Sequence, residues 1–269
     1  MYFRNKYQKI LSVYVSFLVL FWIILFFSHE KTSIWNYFYS FAFSLVPLIF
    51  GVVGCFLSKK WGFLNSAIGS GVFFISLGSF FWGGGSMIWS YYNLFENISA
   101  PYPSLADIGF ILSIPLWVKG IISLSRATGA RNDLKSIRRR LILLVIPVLI
   151  IIISYYLLIV IARDGILIPG PGGFDVKLFL DLAYPIGDII ILSLALIIYG
   201  LSFNYLGGLY KRPILTIFFG FGVMYFADFI FSYTTTMGTF YNGNLGDLAF
   251  TLALSLISFG TLGLTYSEN

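Results

Sequence analysis

Five aspartates, Asp107, Asp181, Asp188, Asp228 and Asp247, stand inside or at the mouths of long apolar runs. A carboxylate in hydrocarbon costs a few kcal/mol or more, so it faces a protein interior or a wet cavity, with a partner or a task. The chemistry open to such groups is the holding of a proton, a cation or a small amphipathic ligand. In Asp181-Leu-Ala-Tyr184-Pro185-Ile-Gly-Asp188 the helical period sets Asp181, Tyr184 and Asp188 on one face. Asp188 falls roughly two to four turns below the helix start, near mid-membrane. Pro185 frees a backbone carbonyl one turn earlier, a further polar group in need of a partner. The competing role for Asp188 is structural: a hydrogen bond that glues two helices. Asp228 follows Arg212 by about 24 Å of helix, close in depth to the rim acids. Tyr225, Tyr233 and Thr234–Thr236 offer hydroxyls nearby, and Glu96 closes a span at the same level.

Asp107 and Asp247 share a local grammar. Ser104-Leu-Ala-Asp107 and Asn244-Leu-Gly-Asp247 each read as a helix N-cap followed by an acidic N3 residue, with Pro103 ahead of the first. Such pairs satisfy orphan N–H groups and complement the helix dipole. Capping is therefore their first role, and contact with a ligand at a pocket rim the second. Trp82, inside the third apolar run, is expected at an aromatic rim, and around the caps stand Trp89, Tyr91, Tyr92 and Tyr102. These aromatics read first as an interfacial belt and second as the rim of a ligand cage. Gly83-Gly84-Gly85 follows Trp82, and glycines inside a helix mark a kink or a close approach of another backbone or a ligand.

Several chemistries lack their residues. Cys55 and His29 are each the sole example of their type, which rules out an internal disulfide, a Cys/His zinc site and a bis-histidine haem. The glycine run has no preceding strand and no Gly-Lys-Ser/Thr, so it is not a phosphate-binding loop. No Ser/His/Asp or Cys/His set can be assembled. The expectation is a non-enzyme with no catalytic residues, no metal and no cofactor.

The elements that must position these groups are membrane spans. The chain is 58% hydrophobic and only 10% charged, an apolar excess that lipid accommodates and a soluble domain of 269 residues does not. Hydropathy predicts an all-α integral membrane protein with eight transmembrane helices, near 10–28, 35–57, 63–93, 104–125, 139–162, 175–203, 212–235 and 246–267. The basic leader Arg4, Lys6 and Lys9 lacks a small-residue cleavage pattern and reads as part of a retained signal anchor. Basic residues Arg4, Lys6, Lys9, Lys59, Lys60, Arg126, Arg131, Lys135, Arg138, Arg139, Arg140, Lys211 and Arg212 fall on one side. Apart from Asp133 and Glu268, the acids fall on the other, with Lys31, Arg163 and Lys177. The positive-inside rule then places both termini in the cytoplasm of a plasma-membrane protein. Net charge of +6 laid out this way argues for lipid contact, not nucleic acid. The 126–140 segment is expected to touch anionic lipid.

Residues 104–124 align without gaps on 244–264, with Asp107/Asp247, Phe110/Phe250 and Gly120/Gly260 among the identities. Upstream, MIWSY at 87–91 matches FIFSY at 229–233. A single polytopic domain built from a duplicated four-helix unit is predicted. Residues 1–125 and 139–269 would be the halves and 126–138 a basic linker, the halves sharing one orientation.

Three stretches carry a resemblance: WSYY…PYPSLADIGFILSIP (89–115), DLAYPIGDIIIL (181–192) and YFADFIFSY (225–233). Over spans 3 to 8 the chain resembles the MASE-like membrane input modules found before diguanylate cyclase (GGDEF) and sensor histidine kinase domains. The resemblance implies a sensor of something at the outer face or within the bilayer. No GGDEF or kinase domain follows within these 269 residues, so signalling is expected to pass through a separate kinase or cyclase partner. The leading expectation is thus a stand-alone sensory or ligand-binding module with an outward-facing acidic pocket. Asp188 and Asp228 sit at its centre, with Asp181, Tyr184, Glu96, Asp107 and Asp247 around them. The alternatives are a small proton- or cation-coupled transporter with a 4+4 repeat, and a structural membrane protein whose acids only cap and glue.

Overall fold

The computed structural model describes residues 5–127, 137–165, 176–202 and 210–264. Among these, eight helices are long and apolar enough to cross a membrane, and no strand forms. The chain is a multi-pass helical membrane protein, the architecture in which each span satisfies its own backbone. In order the helices are α1 (Lys6–Phe27), α2 (Ile34–Ser58), α3 (Ala67–Leu94), α4 (Leu105–Ala127), α5 (Ile137–Ser154), α6 (Val176–Ser202), α7 (Lys211–Thr236) and α8 (Leu245–Gly263). α5 continues into a π-helical stretch, Tyr155–Ile161, closed where the Ala162 N–H reaches the Leu157 carbonyl at 2.9 Å.

Observed and predicted ends differ by a few residues, for local reasons. α1 begins at Lys6, not residue 10, because the Asn5 side chain caps it by accepting from the Gln8 N–H at 3.0 Å. α3 begins at Ala67, not residue 63. Ser66 accepts there from the Gly69 N–H at 2.9 Å, after a turn through Gly62 at φ 78°. Most of the basic segment 126–140, and with it the lipid contact expected there, lies outside the described residues.

Helices in lipid gain nothing from excluding water, so they associate where small residues let backbones meet. α3 runs unbroken through its glycine triplet. A Cβ on Gly83 would stand 2.6 Å from the Leu48 nitrogen of α2, and one on Gly85 2.6 Å from the Ala106 carbonyl of α4. One on Gly84 would meet nothing within 4 Å. Of the two expectations for the triplet, close backbone approach is the one realised, on both flanks. Elsewhere Gly120 of α4 seats α3 so closely that a Cβ would meet Ile75 Cγ1 at 2.5 Å and Ile75 N at 2.9 Å. Gly260 of α8 seats α7 in the same way, against Ile217 Cγ1 at 2.7 Å and Ile217 N at 2.9 Å.

α3 lies between α2 and α4, α8 lies against α7, α2 and α1, and α6 leans on α4 and more sparingly on α7. α5 packs on α6 and presents Leu144 and Ile152 outward, as a lipid-facing helix does. The α5–α6 hairpin is therefore peripheral to a tightly seated group of helices. The polar groups that tie it on are those of the candidate site.

Candidate functional site

The acids do not gather in one pocket. They divide between two helix seams, with one pair left at the surface.

The first group joins α6 to α4, α7 and α5. At the top, Tyr102 donates to Asp181 Oδ1 at 2.9 Å, and the Arg163 guanidinium donates to the Asp181 carbonyl at 2.8 Å. Burial, and then the bond to Asp181, raise the Tyr102 phenol above its ordinary value. One step deeper, Tyr184 donates to Asp107 Oδ1 at 2.6 Å. The other oxygen of Asp107 accepts from the Ser104 N–H at 2.7 Å, while Ser104 Oγ accepts from the Ala106 N–H at 3.2 Å. That is the capping box expected at this helix start. One turn below Tyr184, the carboxyl groups of Asp188 of α6 and Asp228 of α7 meet side by side. Beside this pair, Tyr225 and Ser154 share a bond of 2.9 Å, at the point where α5 passes into its π-helical stretch. π segments of this kind recur at functional sites.

The second group closes around Asp247 where α8 meets α2. Its Oδ2 accepts from the Gly243 N–H at 2.5 Å and from Ser40 at 3.2 Å, while Asn244 Oδ1 accepts from the Asp247 N–H at 3.1 Å. Asn242 covers it from above: its carbonyl accepts from Asn36 at 2.8 Å, and its side-chain oxygen from Ser40 at 3.2 Å and Trp89 at 3.3 Å. Trp22 donates to the Asn244 carbonyl at 3.1 Å, and Tyr39 bonds Thr251 at 2.8 Å. Asp247 is buried and both cap carboxylates have their partners. Next to it, burial and the Asp247 charge raise the Tyr241 phenol.

The remaining predicted residues fall elsewhere. Glu96 accepts from Tyr91 at 2.9 Å in an exposed pair outside both groups. Trp82 is no rim residue: it is 7% exposed and packs among Phe43, Phe110 and Phe250, because Gly83 and Gly85 draw α2 and α4 around it. Trp89 is half-buried under the Asn242 loop, and of the rim aromatics Trp82, Trp89, Tyr91 and Tyr102 it is Tyr102 that joins the α6 ladder. The hydroxyl of Thr234 turns back to its own helix, and Tyr233 stacks on Phe229. Sequence reasoning missed Ser154, Arg163, Ser40, Asn36 and Asn242. The signal for Asn36, Ser40 and Ser154 was a polar side chain within or at the edge of an apolar run. For Arg163 it was a cation on the acidic side.

The chemistry differs between the two groups. Asp107 and Asp247 accept from N–H and O–H donors and serve as fixed acceptors. Asp188 and Asp228 have each other, and two carboxyl groups form a hydrogen bond only with a proton between them. Neither has an ion-pair partner among the described residues, and both are surrounded by protein while keeping some accessible surface. Their site can hold a proton, or a monovalent cation in its place. Among the described residues no group of three or more His, Cys, Asp or Glu is placed to hold a metal ion. No protein-family model, curated protein or solved structure matches the chain.

Proposed function

We propose that this chain is a membrane sensory module whose stimulus is a proton, a cation or a small ligand at the Asp188–Asp228 pair. Occupancy of that pair sets how firmly the α5–α6 hairpin docks, and a separate partner reads the change. The observation that carries this reading is the carboxyl–carboxyl contact between two sparingly packed helices. The groups facing it are Tyr184 on α6, Tyr225 on α7, Ser154 on α5 and, one turn out, Asp107 on α4. Loss of the shared proton puts two like charges face to face. The hairpin then has two arrangements separated by a few kcal/mol, which is what a switch requires.

A duplicated four-helix unit supports giving these acids a task beyond structure. Gly120 and Gly260 are 140 residues apart and meet the same two atoms, Cγ1 and N, of Ile75 and Ile217, which are 142 apart. Gly78 and Gly220 meet the 117 and 257 positions, again at offsets of 142 and 140. On that register Asp228 answers to Ser86. Tyr184 answers to Ser40, since each donates to a cap carboxylate, and one turn further along Asp188 answers to Ser44. The first half thus packs with two buried serines where the second carries two acids. Serines that pack the matching positions without a carboxylate support giving these acids a task beyond glue.

The basic residues at the opposite helix ends support a setting of the pair in the outer half of the plasma membrane, with both termini cytoplasmic. The resemblance to MASE-like input modules agrees with sensing. The same duplication also favours a second reading, a 4+4 transporter, which solute flux in proteoliposomes would reveal. The test of sensing is thermal stability of the protein in nanodiscs, with sodium or potassium present, from about pH 5 to about pH 9. Asp228→Asn is expected to flatten a profile that the parent protein shows. Identical profiles for the two would sink the proposal.

A further inference from the structure

A cavity of about 470 Å³ opens at the basic end of the molecule, where α3, α4 and α6 meet. Its wall is apolar, with Ile114, Val118 and Ile122 along about two turns of α4 and Ile190 facing them from α6. Its mouth is not: Lys119 and Arg126 stand there beside Ser70 and Ser123. The two hydroxyls lie 3.1 Å apart, and Ser123 donates to the Lys119 carbonyl at 2.8 Å. The Lys119 ammonium sits 4.0 Å over the Phe74 ring, which fixes its position without neutralising it. No carboxylate pairs with Lys119 or Arg126 among the described residues.

A cation about two turns inside the end of a membrane span, as Lys119 is in α4, needs a counter-charge. Here it borders an apolar slot that runs deeper into the bilayer. We propose that this groove is the seat of one anionic phospholipid. The phosphate would lie between Lys119 and Arg126 with the serine hydroxyls as further donors, and one acyl chain along Ile114, Val118, Ile122 and Ile190. A lipid meets both halves of the site at once, because its charge and its hydrocarbon are joined at the depth where the site changes from cationic to apolar. A free phosphate would leave the slot empty, and a neutral phospholipid would leave the two cations without net compensation.

The test is native mass spectrometry of the full chain in detergent, titrated with phosphatidylglycerol, with phosphatidylcholine or with inorganic phosphate. One phosphatidylglycerol is expected to bind per chain in preference to phosphatidylcholine, and inorganic phosphate is expected not to compete. Two cations near a headgroup correspond to a roughly thirtyfold preference, which Lys119→Gln/Arg126→Gln should remove. Ile122→Trp keeps both charges, fills the slot and should weaken the anionic lipid alone. It decides the matter if the double variant does not fold. Arg138→Gln/Arg139→Gln/Arg140→Gln should keep the preference. Loss of preference in that α5 variant with retention in the groove variants would overturn the site, as would competition by inorganic phosphate. None of these measurements involves Asp188 or Asp228, so the groove and the carboxyl pair stand or fall separately.

Discussion

Replacing Asp188 by Asn tests the switch most directly. On the proposed reading the Asp188–Asp228 bond is made through one proton, which two separated, solvated aspartates would not keep at neutral pH. Docking therefore takes up a proton, so it strengthens as pH falls and weakens as pH rises. Without the proton, two charges about 4 Å apart at an effective dielectric constant of about 20 repel by up to about 4 kcal/mol. That is up to about a thousandfold in the docking equilibrium. The amide introduced by Asp188→Asn carries its own donors, so the bond to Asp228 survives without a titrating proton. Ser193 supplies the reporter: it lies on α6, 7% exposed, and its hydroxyl has no partner to lose. With Cys55→Ser removing the only native thiol, Ser193→Cys can be alkylated in nanodiscs and the rate followed against pH. Taking the ratio to Asp188→Asn at each pH cancels the intrinsic reactivity of the thiol. The ratio should rise steeply on going alkaline. A ratio that stays at one throughout, with both proteins folded, refutes the coupling of the pair to the hairpin.

Other outcomes follow from the packing and the caps. Gly84→Ala should raise stability by up to about 1 kcal/mol, because its Cβ enters open space within a helix. Gly120→Ala and Gly260→Ala should each lower it by about 1–3 kcal/mol, since their Cβ atoms press on the backbone of the next helix. Thermal unfolding in detergent reads all three, and a stabilising Gly260→Ala would contradict the close seating of α7 on α8. Asp247→Ala should cost about 1–3 kcal/mol by leaving the buried Gly243 N–H without its acceptor, again by thermal unfolding. Tyr102→Phe should loosen α6 equally at every pH below about 10. The raised phenol stays protonated there, and its contribution is lost only as pH climbs through its own range. A Tyr102→Phe effect that varies across neutral pH would be inconsistent with that.

How much of this could be read from the chain varies with the range of the interaction. Spans and caps are local. The apolar runs located all eight helices, and Ser104/Asp107 and Asn244/Asp247 declared their helix starts because an N-cap and its N3 partner lie three residues apart. The triplet at 83–85 announced close contact but could not say with what, since Leu48 and Ala106 are distant in sequence. Depth along a helix is legible only coarsely: counting residues sets Asp188 near mid-membrane and Asp228 out by the rim acids, yet the two carboxyls meet. Lateral position is not legible. Helical periodicity gives the face a residue occupies but not the neighbour that face meets, so Asp247 was grouped with Asp188 although it closes a different seam with Ser40 and Asn242. Trp82 fails for the same reason: a tryptophan within a span reads as a rim residue until two glycines bring helices around it.

The proposed duplication turns these differences into a functional argument. If spans 3–4 and 7–8 descend from one pair, the features they share are what the fold requires. These are an acid at the start of the second helix and a glycine seated on an isoleucine of the first. What they do not share has been free to specialise. Around Asp247, Asn242 caps the seam and Ser40, Ser44 and Ser86 fill the places below with small hydroxyls, all buried. Around Asp107 the corresponding places hold Tyr184, Asp188 and Asp228, and the helices there meet loosely enough to leave the carboxyls some accessible surface. One seam is locked, the other is held by groups that can change their charge. A rigid seam beside a titratable one supplies the fixed frame against which a hairpin can move, and the carboxyl pair lies where the hairpin meets that frame.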